Sequence, residues 1–106
     1  MIEVGEYVRT DKGYIIKIDK EKKNLQMLKF LDAEYGNIVK HSKNIIDLIE
    51  VGDYVNGEKI GQIENGFLWY GWSAEIDDYS TFFKEKDIET VVTKEQFAQM
   101  EYKVKE

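Results

Sequence analysis

Apolar and polar positions alternate with a period close to two along most of the chain, the spacing of strands that bury one face. Residues 4–9 read as a first strand, Thr10-Asp11-Lys12-Gly13 as a hairpin loop with glycine where positive φ is tolerated, and 14–18 as the return strand. A charged stretch at 19–24 leads into an apolar segment at 25–31, and a short strand is expected at 38–41. The second half carries stronger turn signals. Asn56-Gly57 and Asn65-Gly66 are both the dipeptide that suits a two-residue hairpin. They frame a strand at 59–64 and introduce another at 67–73, with further strands expected at 79–83 and 88–92. The period changes only near the end. Thr93 can cap a helix with Gln96 at its third position, and Phe97, Met100 and Val104 then form one apolar stripe that would close the open end of a barrel.

An internal repeat sets the domain boundary. Ile2-Glu3-Val4-Gly5-Glu6-Tyr7-Val8 recurs as Ile49-Glu50-Val51-Gly52-Asp53-Tyr54-Val55, with one change, Glu6 to Asp53. A weaker echo closes each copy: Ser42-Lys43-Asn44-Ile45-Ile46 and Thr93-Lys94-Glu95-Gln96-Phe97 both run from a hydroxyl through lysine to apolar anchors. The expected organisation is two copies of one small β-unit, 1–48 and 49–106, the second with a longer end.

Composition narrows the function. With 106 residues, 14 aromatics and no proline, the chain is globular rather than linker-rich. It has no cysteine, hence no disulfide and no thiolate nucleophile, and its single histidine, His41, is too few for a nitrogen metal site. No metal and no cofactor are therefore expected. No apolar run is long enough to span a membrane and the N-terminus lacks a signal pattern, so a cytoplasmic protein is expected. The net charge is −6, unevenly placed: residues 1–48 carry +1 and residues 49–106 carry −7. That split points to two faces with different tasks.

Catalytic patterns are weak. His41, Ser42 and Asp47 supply the residue types of a triad, but sequence neighbours on a strand point apart. Asp77 and Asp78 with Glu75 nearby read as hydrated loop carboxylates, and no glycine-rich phosphate loop precedes a helix. The strongest signal is Phe67-Leu68-Trp69-Tyr70-Gly71-Trp72, which places bulky apolar side chains on both faces of one strand. One face can enter a core; the other is covered by the second unit or lies open as an interface. Downstream, residues 75–89 hold six acids among Tyr79, Phe82 and Phe83, a mixture suited to a protein partner with a basic surface.

The string Val-Gly-(Asp/Glu)-Tyr-Val followed by a glycine turn resembles the opening hairpin of small SH3-like barrels, including KOW-type modules. A fuller likeness runs through His41-Ser42-Lys43-Asn44-Ile45-Ile46-Asp47-Leu48-Ile49-Glu50-Val51-Gly52-Asp53-Tyr54-Val55-Asn56-Gly57 and the closing Thr93–Phe97 segment. These resemble small uncharacterised phage and prophage proteins of Gram-positive bacteria, which implies a mobile-element origin and carries no active site to transfer. The expectation is a mainly β chain of two tandem SH3-like small barrel units with a short C-terminal helix. Its expected role is a non-enzymatic inhibitor of a host defence protein, such as an anti-CRISPR, making contact through Tyr70, Trp72, Asp77, Asp78 and Tyr79. One alternative is a nucleic-acid or nucleotide-binding module that uses Arg9, Lys12, Tyr14, Lys17 and Lys20 on the basic hairpins of the first unit. The other is a structural or oligomeric component of a virion or of a host complex.

Overall fold

The computed structural model describes residues 2–19 and 35–100. The apolar segment at 25–31, Lys20 and Val104 lie outside the described residues. Strands take 40% and helices 17% of what is described, so the fold is mainly β. In chain order the strands are β1 (Tyr7–Thr10), β2 (Ile15–Lys17), β3 (Ile38–Ser42), β4 (Tyr54–Val55), β5 (Glu58–Lys59), β6 (Gln62–Glu64), β7 (Phe67–Ser73), β8 (Asp78–Phe83) and β9 (Val91–Val92). One α-helix, α1 (Lys94–Met100), follows, and short 3-10 turns occupy Ile45–Leu48 and Glu85–Asp87. The strands form three antiparallel sheets of order β2-β1-β3, β5-β4-β9 and β6-β7-β8.

Both copies of the sequence repeat adopt one local structure. Gly5 and Gly52, each at positive φ, donate their N–H to the carbonyls of Ile18 and Ile60 at 2.8 Å. Those isoleucines return their N–H to the carbonyls of Glu6 and Asp53, also at 2.8 Å. The same two acids close the preceding turn with their carboxylates, accepting the N–H of Glu3 at 2.5 Å and of Glu50 at 2.7 Å. A short acidic side chain after a left-handed glycine satisfies a backbone donor that the turn would leave unpaired, which is why Glu and Asp interchange here. In both copies the repeat strand becomes the centre of its sheet, flanked by its hairpin partner and by the last strand of its half. The β6-β7-β8 sheet is inserted between β5 and β9.

The glycine turns form as expected. Asn56 and Gly57, and likewise Asn65 and Gly66, all have positive φ, the signature of a type I′ hairpin turn. Other elements differ from the sequence reading. The first strand begins at Tyr7 rather than at residue 4, because Gly5 turns the chain. The strand expected at 59–64 is broken at Ile60 and Gly61, where Ile60 is fully buried and a Cβ on Gly61 would stand 2.1 Å from the Tyr79 hydroxyl. The chain steps there from one sheet to the next. The expected strand 88–92 keeps only Val91–Val92: the 3-10 turn ends at Asp87, and the Glu89 and Thr90 N–H groups donate to the Asn56 side-chain oxygen at 2.8 and 3.0 Å instead of to a neighbouring strand. Thr93 does cap the helix, its Oγ1 accepting the Gln96 N–H at 3.2 Å. The apolar stripe, however, does not close a barrel: Met100 is 65% exposed, and Phe97, 45% exposed, stacks on Tyr54 with ring centroids 4.4 Å apart.

The main apolar core gathers Ile49, Val55, Ile60 and Leu68, with Ile15 and Ile46 from the first half packed against it. Each fully buried aliphatic side chain contributes about 1.5–3 kcal/mol by leaving water. The halves are also joined by polar contacts. The β1–β2 loop lies against the start of α1: Thr93 Oγ1 donates to the Gly13 carbonyl at 2.6 Å, and Gln96 and Gln99 donate to the Lys12 carbonyl at 2.9 and 3.2 Å. A Cβ at Gly13 would fall 2.3 Å from Thr93 Oγ1 and 2.7 Å from Glu95 Cβ. Gly13→Ala is expected to destabilise the chain by about 2 kcal/mol or more, through the left-handed backbone and the clash together. Gly57→Ala, with a similar φ and nothing within 4 Å, should show only the backbone cost, about 1 kcal/mol. Urea unfolding of the pair checks this: equal losses would mean that the loop does not press on the helix.

Candidate functional site

The β7–β8 hairpin decides which aromatic faces are available. The register sets Leu68 opposite Phe83, Trp69 opposite Phe82, Tyr70 opposite Thr81 and Trp72 opposite Tyr79. Residues opposed across an antiparallel pair share a face. On one face Leu68 is buried in the core, and Tyr70 stacks on Phe83 at 4.3 Å with both packed against that core. On the other face Phe67, Trp69 and Phe82 form a ring cluster with centroids 4.6–6.2 Å apart, and Lys84 Nζ stands 6.0 Å over Phe67. The strand is central within its own three-stranded sheet. Tyr70 belongs to the packed side and not to an open contact surface.

The end of the hairpin is different. Trp72 is 58% exposed and meets Tyr79 edge-on at 5.3 Å, while Ile76 in the connecting turn is 59% exposed. Three acids, Glu75, Asp77 and Asp78, stand exposed beside them. Asp77 adopts positive φ, a conformation that Asp and Asn reach more readily than other side chains. Asp78 Oδ1 accepts the Tyr79 N–H at 2.8 Å, which fixes the entry into β8. Beneath the ring pair an open groove of about 470 Å³ runs between Val51, Lys59, Gly61, Trp72 and Tyr79. Four of the five residues expected at the contact, Trp72, Asp77, Asp78 and Tyr79, are therefore together. Sequence reasoning missed Ile76 and the Phe67–Trp69–Phe82 cluster. The sign that Tyr79 folds inward was Gly61, the one glycine whose missing side chain leaves room for that ring.

The basic alternative loses its centre. Arg9 is only 1% exposed and cannot reach a phosphate. Its guanidinium donates to the Leu48 carbonyl at 2.9 Å, to both carboxylate oxygens of Asp53, and to Glu95 Oε1 at 2.7 Å, with Glu50 Oε2 at 3.6 Å from Nε. Burial works against its charge, but the bonds from Asp53 and Glu95 outweigh that and raise its pKa further. Lys12 and Lys17 are exposed, Lys17 Nζ lying 5.6 Å over the Tyr7 ring, and Tyr14 packs edge-on against Tyr35 at 4.9 Å. These groups do not converge with Arg9 on one surface.

His41 and Ser42 engage different acids. His41 Nδ1 lies 2.8 Å from Glu6 Oε1, whereas Ser42 Oγ donates to Asp47 at 2.6 Å and accepts the Asn44 N–H at 3.1 Å. The bond to His41, then the Glu3 N–H, hold the Glu6 carboxyl below its ordinary range. Among the described residues, no three His, Cys, Asp or Glu side chains gather in a way that could hold a metal ion. No described helix is long and apolar enough to cross a membrane. Compared with known proteins, the chain matches no family model, no curated protein and no solved structure.

The groups around Arg9 carry a pH signature. Glu50 is pulled from an ordinary 4.5 to about 2, chiefly by Lys94 Nζ at 2.8 Å, against the cost of burial and with help from Lys40 at 3.1 Å and from Arg9. A carboxyl whose folded pKa is depressed stabilises the fold above its unfolded value and loses that contribution as pH falls through the folded one. Stability should therefore decline between about pH 4.5 and pH 2. Glu50→Gln should flatten that limb while lowering stability at neutral pH. Unfolding curves across this window with unchanged slope in the variant would contradict the pairing.

Proposed function

We propose that the chain is a small non-enzymatic binding protein that seats the tip of its β7–β8 hairpin on a basic surface of a protein partner. The observation that carries this reading is the grouping of Trp72, Ile76 and Tyr79 with Glu75, Asp77 and Asp78 at one end of the β7–β8 hairpin. Exposed aromatics anchor interfaces, and carboxylates around them accelerate encounter with a positively charged partner and select for it. The charge excess of −7 in residues 49–106 strengthens the field at that end. Together with the likeness to phage and prophage proteins, this favours an anti-defence inhibitor in the host cytoplasm, of the anti-CRISPR kind, that occupies a surface otherwise used for nucleic acid. The shared turn geometry of the two repeats and their like sheet orders support reading 1–48 and 49–106 as two SH3-like units. In that reading the second has grown the β6-β7-β8 sheet that carries the contact.

Affinity capture from a bacterial lysate, with nuclease treatment in parallel, tests the proposal, followed by binding kinetics on the captured protein. Trp72→Ala should shorten the lifetime of the complex by an amount on the order of 2 kcal/mol, about 30-fold. Asp77→Asn with Asp78→Asn removes two charges yet keeps both the left-handed turn and the acceptor for the Tyr79 N–H. It should slow association at low salt and leave dissociation nearly unchanged. Association as fast as wild type by the folded double variant, or a partner that disappears on nuclease treatment, would overturn the reading.

A further inference from the structure

Strand β8 is an edge: among the described residues it pairs only with β7. Edge strands present unpaired backbone groups and are usually protected by shortness, lysine, proline or a bulge. The other edges have such protection. β2, β5, β6 and β9 are two or three residues long, and β3 carries Lys40 and lies across a register shift at Arg9 and Thr10. β8 has six residues, and Tyr79-Ser80-Thr81-Phe82-Phe83 contains neither charge nor proline. Ser80, Thr81 and Phe82 are all exposed. Lys84 continues the extended backbone beyond the strand, with φ −96° and ψ 168°.

We propose that β8 pairs antiparallel with β8 of a second copy of this chain, joining two three-stranded sheets into one of six about a two-fold axis at Thr81. Side-by-side antiparallel pairing of identical strands requires an axis perpendicular to the sheet, so each face continues into the same face of the copy. Only registers in which like faces meet are then allowed. The register centred on Thr81 aligns all of 78–84, Lys84 by its side chain alone because its N–H and carbonyl already bond Asp87. It sets Asp78 opposite Lys84 of the copy, twice, Tyr79 opposite Phe83, Ser80 opposite Phe82, and Thr81 opposite itself. Opposite charges, aromatic pairs and Thr–Thr pairs are the cross-strand combinations that stabilise sheets. Asp77 in its left-handed turn and Glu85 in the 3-10 turn lie outside the paired segment, which limits it at both ends. The Phe67–Trp69–Phe82 cluster then continues across the axis into its counterpart. The pairing is argued from the strand edge and not from the partner contact above, although it engages Asp78 and Tyr79, which that contact also includes. It leaves Trp72, Ile76 and Asp77 free and places the two hairpin tips at opposite ends of the joined sheet, so the dimer is bivalent.

Sedimentation equilibrium over a concentration series tests it, with Lys84→Glu, Asp78→Lys and the double exchange. The wild type should dimerise. Each single variant sets like charges opposite one another at both ends and should weaken the dimer about tenfold. The double exchange, which restores opposite charges in this register alone, should recover most of the loss. Asp78→Lys gives up the local bond to Tyr79, so near-ultraviolet circular dichroism of Trp69 and Trp72 confirms an intact hairpin, and Lys84→Glu carries the test if it does not. A wild type monomeric throughout the series, or a folded double variant no tighter than the single ones, would overturn the proposal.

Discussion

A guanidinium taken out of water holds the two halves of this chain together. Arg9 leaves β1 of the first repeat and finds its partners almost entirely in the second: Asp53 by both oxygens, Glu95 at the start of α1, Glu50, and the Leu48 carbonyl at the junction. Removing an ion from water is costly, and the arrangement is tolerable only because the fork of the guanidinium meets complementary acceptors on every side. Asp53 is equally committed, since it also accepts the N–H of Glu50 at 2.7 Å and of Lys94 at 2.9 Å. Lys40 and Lys94 close the outer side of Glu50, so three cations meet three carboxylates and the junction is close to neutral. The positions of β1, the β4 turn and α1 are thereby fixed relative to one another.

The repeat explains how such a junction could arise from simple parts. Glu6 and Asp53 do the same local work, closing the turn after a left-handed glycine. Their second partners differ. Glu6 meets His41 near the surface, whereas Asp53, fully buried, meets Arg9. One turn therefore serves as a local cap in the first half and as the anchor of the whole chain in the second. The β6-β7-β8 sheet packs on the core through Leu68, Tyr70 and Phe83. Among the described residues, its tip is exposed and its β8 edge pairs with no further strand.

Much of this was legible in the sequence where local chemistry decides the outcome. Asn-Gly pairs demand positive φ at both positions, so both hairpins fall where expected. The run 67–73 forms a strand with those bounds, and Thr93 caps the helix as its spacing with Gln96 requires. What stayed hidden depends on contacts distant in the chain. Nothing near Arg9 reveals that acids 41 to 86 residues away would enclose it, so it reads as a surface cation. Tyr70 and Trp72 share a face by periodicity, yet only the position of the core separates the packed ring from the exposed one. The helix stripe of Phe97 and Met100 has the right period for burial, but α1 is held by Thr93, Gln96 and Gln99 on the first hairpin, which leaves Met100 in water.

The measurement that tests this account most directly is a double-mutant cycle on the Arg9–Asp53 pair, read by urea unfolding at neutral pH with Arg9→Met, Asp53→Leu and both together. Each single replacement strands a buried charge and should cost about 3–5 kcal/mol. The double replacement strands neither, so its cost should fall short of the sum by about 2 kcal/mol or more. Losses that add to within about 0.5 kcal/mol would show the two residues to be energetically independent, and the junction described here would not be what holds the halves together.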